Sequence, residues 1–176
     1  GAYHTVSIKT DGTLWSWGRN NLGQLGQGNT TNYSSPKQVG ALTNWLSVSC
    51  GYNFTAAIKT DGTLWSWGLN TSGQLGLGNA INYSSPKQVG ALTNWLSVAC
   101  GAYHTVSIKT DGTLWSWGGN IYGQLGQGNT TSLSSPKQVG ALTNWSSVSC
   151  ASNFTVSIKT DGTLWAWGLN TSGQLG

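Results

Sequence analysis

Few side chains in this sequence could do proton, nucleophile or metal chemistry. There are four aspartates, three cysteines and two histidines, and no glutamate. Catalysis needs such groups to converge, with proton affinities set by their surroundings. Here each type recurs instead at one fixed spacing. Asp11, Asp61, Asp111 and Asp161 are each followed by glycine, a pair that belongs to tight turns. His4 and His104 take the same position in alternate 50-residue periods, and Phe54 and Phe154 fill it in the intervening ones. A position that accepts Phe in place of His is a packing position before it is a base or a ligand. Cys50, Cys100 and Cys150 fall once per period without CxxC spacing, which fits neither a zinc site nor a disulfide framework. They read as small apolar residues on a packed strand. There is no Ser/His/Asp set and no phosphate loop. The chain is therefore expected not to be an enzyme, and to carry no metal and no cofactor.

The elements that hold these residues repeat without insertion. The Asp-Gly pairs stand 50 residues apart, and a GQLG motif closes at Gly26, Gly76, Gly126 and Gly176. A period of this length marks a solenoid or a propeller. It makes the chain one array of repeats, 1–50, 51–100 and 101–150, with a partial repeat over 151–176. Within a period, residues 5–9 and 14–17 alternate in polarity around Asp11-Gly12, which predicts a hairpin with both turn residues at positive φ. A Gly/Asn/Ser/Thr-rich loop follows over residues 18–35. Pro36 then precedes a short strand over 37–39, suited to a sheet edge. Residues 45–50 supply a fourth strand that runs into the next repeat. Short strands in this number, with no helical periodicity, predict an all-β fold, a β-propeller of four-stranded blades. Trp15 and Trp17 share one face of their strand and are expected to fill the gap between blades, each burying on the order of 200 Å².

The run Gly101-Ala102-Tyr103-His104-Thr105, then Asp111-Gly112-Thr113-Leu114-Trp115-Ser116-Trp117-Gly118, then Gly123-Gln124-Leu125-Gly126, resembles the regulator of chromosome condensation repeat. The likeness covers the whole chain, three and a half times over. It implies a propeller of typically seven blades, of which about three and a half are present. It also implies that the strand over 45–50 lies innermost, followed outward by those over 5–9, 14–17 and 37–39. Members of the family include a nucleotide exchange factor for a nuclear GTPase, a secreted inhibitor of β-lactamases and domains of ubiquitin ligases. The resemblance therefore implies binding of other macromolecules. The exchange-factor members carry an inserted loop and acidic residues on their working face. This chain has no insertion, and its only acids are the turn aspartates. No exchange site carries over, so exchange activity on a small GTPase ranks as an alternative, as does a glycan-binding propeller. The near-identity of the repeats resembles a recently amplified bacterial or environmental array.

Positions that differ between repeats are free of what the blade demands. They fall in a segment after the inner strand (Ala2-Tyr3-His4, Tyr52-Asn53-Phe54, Ala102-Tyr103-His104, Ser152-Asn153-Phe154), in a second segment just before GQLG, and in residues 27–33 with their counterparts. Tyr and Asn offer rigid contact area and adaptable hydrogen bonds. The candidate binding residues are accordingly Tyr3, His4, Tyr52, Asn53, Tyr103, His104 and Asn153, with Arg19 and Tyr122 from the second segment.

A net charge of +4 and a pI near 9.1 do not make a nucleic-acid surface. Lys9, Lys59, Lys109 and Lys159, and likewise Lys37, Lys87 and Lys137, are distributed once per repeat, whereas phosphate binding needs convergent cations. They read as solvated strand ends that keep sheet edges soluble. No apolar run approaches the roughly 18 residues that cross a bilayer. The partner expected is a protein of unknown identity, with neither nucleic acid nor membrane insertion. Sparse charge with abundant Asn, Thr, Ser and Trp resembles secreted or surface proteins without fixing a compartment. Three and a half repeats do not close a ring of seven, so the chain is expected to be part of a longer protein or, second, to self-associate to complete the ring.

Overall fold

The computed structural model describes residues 1–176 and is built of strands alone. In chain order they are β1 (His4–Ile8), β2 (Leu14–Gly18), β3 (Tyr33–Gln38), β4 (Trp45–Cys50), β5 (Phe54–Lys59), β6 (Leu64–Gly68) and β7 (Tyr83–Gln88). The second half continues with β8 (Trp95–Cys100), β9 (His104–Lys109), β10 (Leu114–Gly118), β11 (Leu133–Gln138), β12 (Trp145–Cys150), β13 (Phe154–Lys159) and β14 (Leu164–Gly168). They form four antiparallel sheets, the blades: β1-β2-β3, β4-β5-β6-β7, β8-β9-β10-β11 and β12-β13-β14. The innermost strands β4, β8 and β12 lie side by side, with the Cys100 N–H donating to Ser49 Oγ at 3.0 Å. The order from axis to rim is the one the resemblance implies.

The hairpin turn differs from the expected one. Gly12 has φ +77°, but no residue other than glycine has positive φ, so Asp11 stays in the right-handed region. The Gly12 N–H donates to Lys9 O and the Lys9 N–H to Thr13 O, which is a turn closed by a glycine bulge. Asp11 serves through its side chain instead. Its Oδ1 accepts from the Thr13 N–H at 2.9 Å and from the Thr13 hydroxyl at 2.6 Å. Those bonds, the hydroxyl first, hold its carboxyl below the ordinary value. Thr13 Oγ1 in turn accepts from Trp15 Nε1 at 2.9 Å.

The outer strand begins earlier than its sequence indicates, at Tyr33 rather than Lys37, and Pro36 lies inside it. It remains an edge, where a missing N–H costs no ladder bond.

The core lies between blades. Leu14 and Val39 of the first blade pack with Trp45, Ala57 and Trp67 of the second. Ile58, Leu64 and Val89 of the second pack with Trp95 and Trp117 of the third. Trp67 and Trp117 are fully buried, while Trp65 and Trp115 are only half-buried. The tryptophan pairs therefore do fill the gap between blades, the second of each pair more completely. On the outward side of the last blade Ile158, Leu164 and Trp165 are exposed, although their counterparts Ile108 and Leu114 are buried by the blade that follows.

Of the lysines read as solvated strand ends, Lys9, Lys37, Lys87 and Lys137 are exposed, but the other three are not. Lys59, Lys109 and Lys159 are buried, and the Lys59 ammonium lies 3.8 Å from the centre of the Trp65 ring and 5.0 Å from that of Trp45. The same arrangement recurs at Lys109. A cation over an indole face is held by the ring quadrupole. Burial still pulls the Lys59 and Lys109 ammonium groups down from their ordinary value.

Candidate binding face

The register of each hairpin separates two ends of the blade. In the first blade His4 pairs with Gly18 and Ile8 with Leu14. Residues 2–3 and 19–22 thus emerge at one end, and the Asp11 turn at the other. Every acid in the chain is a turn aspartate and lies at that second end. The first end holds no acidic side chain, and Arg19 and the charged N-terminus stand there.

On this acid-free end the variable residues form a tyrosine arc. Tyr3 and Tyr52 meet edge-to-face with centroids 5.6 Å apart and hydroxyls 3.3 Å apart. Tyr52 and Tyr103 follow at 6.0 Å, tilted by 31°. The arc crosses three blades although Tyr52 sits one position earlier in its repeat than Tyr3 and Tyr103 do in theirs. The rings are 51%, 37% and 39% exposed. Arg19 lies over the Tyr3 ring at 5.4 Å, and the Tyr3 hydroxyl bonded to Tyr52 raises the Tyr52 phenol above its ordinary value. Tyr122 is exposed in the corresponding loop of the third blade beside the exposed Ile121.

Other candidates fall elsewhere. His4 and His104 are buried, as is Asn53, whose Oδ1 accepts from Gln24 Nε2 at 3.3 Å. These three are corrected from surface residues to joints between blades. Asn153 is half-buried, and its carbonyl accepts the Leu169 N–H. The joint itself is the GQLG loop. The Gln24 carbonyl accepts from Thr55 Oγ1 at 2.9 Å and from Trp67 Nε1 at 3.0 Å, both in the next blade. Gln74 and Gln124 do the same for the third and fourth blades. At Gly26, a Cβ would stand 2.8 Å from Trp67 Nε1, so the loop needs glycine where the indole lies on it. The same loop hides Asn20, whose Oδ1 accepts the Leu25 N–H while its Nδ2 donates to Asn29 O. Its identity in all repeats within an otherwise variable segment was the signal of that role.

The chemistry available is consistent with binding. Burial pushes the Cys100 thiol up to about 12 and raises Cys50 and Cys150 as well, so no thiolate nucleophile is offered near neutral pH. No three His, Cys, Asp or Glu side chains come together in a way that could hold a metal ion. No helix is long and apolar enough to cross a membrane.

Blades stacked around an axis, each locked to the next by a loop carbonyl and an indole, define an array of β-propeller blades. The pattern of the RCC1-like domain matches residues 1–176 in full. The chain belongs to the RCC1-like domain family. It is 46% identical over 56 residues to human protein RCC2, an overlap of 31% of this chain and 11% of that one. It is 41% identical over 54 residues to the ultraviolet-B receptor UVR8 of Arabidopsis thaliana, covering 30% and 12% of the two chains. Among solved structures it is similar to Prp20p of Saccharomyces cerevisiae, with a TM-score of 0.86 at 23% identity over 99% of this chain and 45% of that one. It is also similar to human WBSCR16, with a TM-score of 0.83 at 22% identity over 96% and 45%. The chain thus spans about a tenth of the length of these curated relatives and under half of these solved structures.

Proposed function

We propose that this chain is a non-enzymatic scaffold that binds a protein partner through the acid-free end of its blades. The observation that carries this reading is the arc Tyr3–Tyr52–Tyr103 with Arg19 beside it. Rigid aromatic side chains already packed against one another lose little freedom on docking, and Tyr and Arg are the residues in which binding energy concentrates. The Prp20p structure is described together with binding to Gsp1p and histones, which supports a protein as the class of partner. Exchange activity on a GTPase is not part of the proposal, because the only acids of this chain are the turn aspartates, at the opposite end of the blades.

The test is affinity capture by the acid-free end, comparing the unmodified chain with Tyr3→Ala/Tyr52→Ala/Tyr103→Ala. The substituted rings are exposed, so the fold is expected to survive with an unchanged circular dichroism spectrum. Affinity for the captured protein is expected to fall by at least about 30-fold, the effect of removing one interface hot spot. Equal capture by the two proteins would place the partner elsewhere and end this reading.

A further inference from the structure

Two matching clefts open between neighbouring blades, and no residue of the tyrosine arc lines either of them. The first, of about 380 Å³, lies between blades one and two and is lined by Leu42, Trp45, Lys59, Trp65 and Pro86 with the loop over residues 26–28. The second, of about 390 Å³, lies between blades two and three and is lined by Leu92, Trp95, Trp115 and Pro136 with the loop over residues 76–78. Volumes of this size suit a small ligand or one unit of a polymer. Ser85 Oγ and Ser135 Oγ face these loops, 3.5 and 3.6 Å from where a Cβ on Gly28 or Gly78 would stand.

The chemistry of the lining narrows the occupant. No carboxylate lines either cleft. Lys59 at the first cleft and Lys109 beside the second are each already seated over two indoles that line them. With no acid present and each cation engaged by the rings, neither cleft sets a free charge against a charged ligand, and an uncharged one fits. Strand addition is opposed by Pro86 and Pro136, which lie inside the edge strands β7 and β11 and remove a backbone donor there. What remains is a half-buried indole beside an exposed leucine, with a serine hydroxyl and glycine backbone close by. Such a surface is apolar on one side and hydrogen-bonding on the other. A pyranose ring is built the same way, with C–H groups on its faces and hydroxyls around its edge. The clefts also recur at successive blade junctions, which suits a ligand that itself repeats.

We propose that these inter-blade clefts are subsites for a neutral, repeating pyranose glycan. The inference goes beyond the protein-binding reading and stands on different residues. Each subsite is shallow and weak alone, and two on one chain raise the affinity for a polymer through effective concentration.

The test is titration of the unmodified chain with maltohexaose, cellohexaose and chitohexaose, read by tryptophan fluorescence and by the indole N–H resonances of Trp65 and Trp115. Saturable binding of at least one of them is expected, with both indole resonances shifting. Ser85→Tyr and Ser135→Tyr place a ring into each cleft from an exposed position. Each is expected to abolish the shift of its own cleft's indole alone, and together they are expected to weaken binding at least about tenfold at unchanged melting temperature. If the double variant fails to fold, the indole shifts of the unmodified chain decide. Absence of saturable binding up to about 10 mM of all three sugars, or shifts confined to other tryptophans, would overturn the proposal. So would preferential binding of a decaproline peptide, which would make the clefts peptide grooves.

Discussion

Trp67→Ala is expected to lower the unfolding free energy by about 3–5 kcal/mol, the range for removing a fully buried Trp. Trp17→Ala, at the same position one repeat earlier, is expected to cost clearly less. The two tryptophans have the same local sequence and differ in what lies against them. Trp67 packs edge-to-face on Trp45 at 6.0 Å, donates to Gln24 O across the blade junction and lies on Gly26, whereas Trp17 is only half-buried. In an array where each blade touches only its neighbours, stability is a sum of blade terms and junction terms. Trp67 belongs to a junction term and Trp17 does not. Urea denaturation of the two variants, followed by circular dichroism, checks this. Equal losses would mean that the tryptophans stabilise their own blades, and that the Gln24–Trp67 joint contributes little. Trp117→Ala is expected to match Trp67→Ala, because Gln74, Gly76 and Trp95 rebuild the same joint one blade further on.

This contrast also marks how far the sequence could be read. The period and the strands were legible because they are local or copied from repeat to repeat, whereas their order from axis to rim was implied only by the family resemblance. β4, for example, occupies the residues that alternation and the flanking turns assign to it. The arc of Tyr3, Tyr52 and Tyr103 was legible as a set of candidates, since these positions vary between otherwise constant repeats. Its geometry was not. That Tyr52, shifted by one position, still falls between the other rings depends on how successive blades are rotated about the axis. The errors arise from contacts between strands, which a linear reading of one repeat does not show. Lys59 was read as a solvated end because the two tryptophans beneath it come from different strands of its blade. Asn53 and the histidines were placed on the surface because their partners lie in a neighbouring blade, 29 residues away for Gln24 and Asn53 and 51 for His104 and Thr155. A repeat compared only with itself does not reveal which of its residues face the next copy.

The histidines carry the second large expectation, a loss of stability in mild acid. His104 Nε2 lies 3.0 Å from Thr155 Oγ1, and His4 Nε2 lies 3.0 Å from Thr55 Oγ1. Each threonine hydroxyl already donates its one hydrogen to the carbonyl of Gln124 or Gln24. The histidine must therefore be the donor, which fixes the neutral tautomer with hydrogen on Nε2. Nδ1 is left buried with no partner. A proton added there would be buried with no acceptor from the protein, and burial accordingly lowers His104 from 6.5 to about 4. His4 is lowered to the same value by burial and, secondarily, by the charged N-terminus. Since the folded value is the lower one, the unfolded chain binds more protons between these limits. The contribution to stability is whole above pH 6.5, declines as pH falls, and is lost once pH passes below about 4. Each histidine is expected to remove on the order of 3 kcal/mol across that window. The turn aspartates act in the same direction but lower, because their folded values lie below 3.8. The chain contains its own control. Phe54 fills the equivalent place in the second blade, where Thr105 still donates to Gln74 O at 2.8 Å. His4→Phe/His104→Phe is therefore expected to fold normally at pH 7 and to keep its stability nearly constant down to about pH 4. Urea midpoints measured from pH 7 to pH 4 compare the two proteins, and parallel declines would show that the acid sensitivity arises outside these joints.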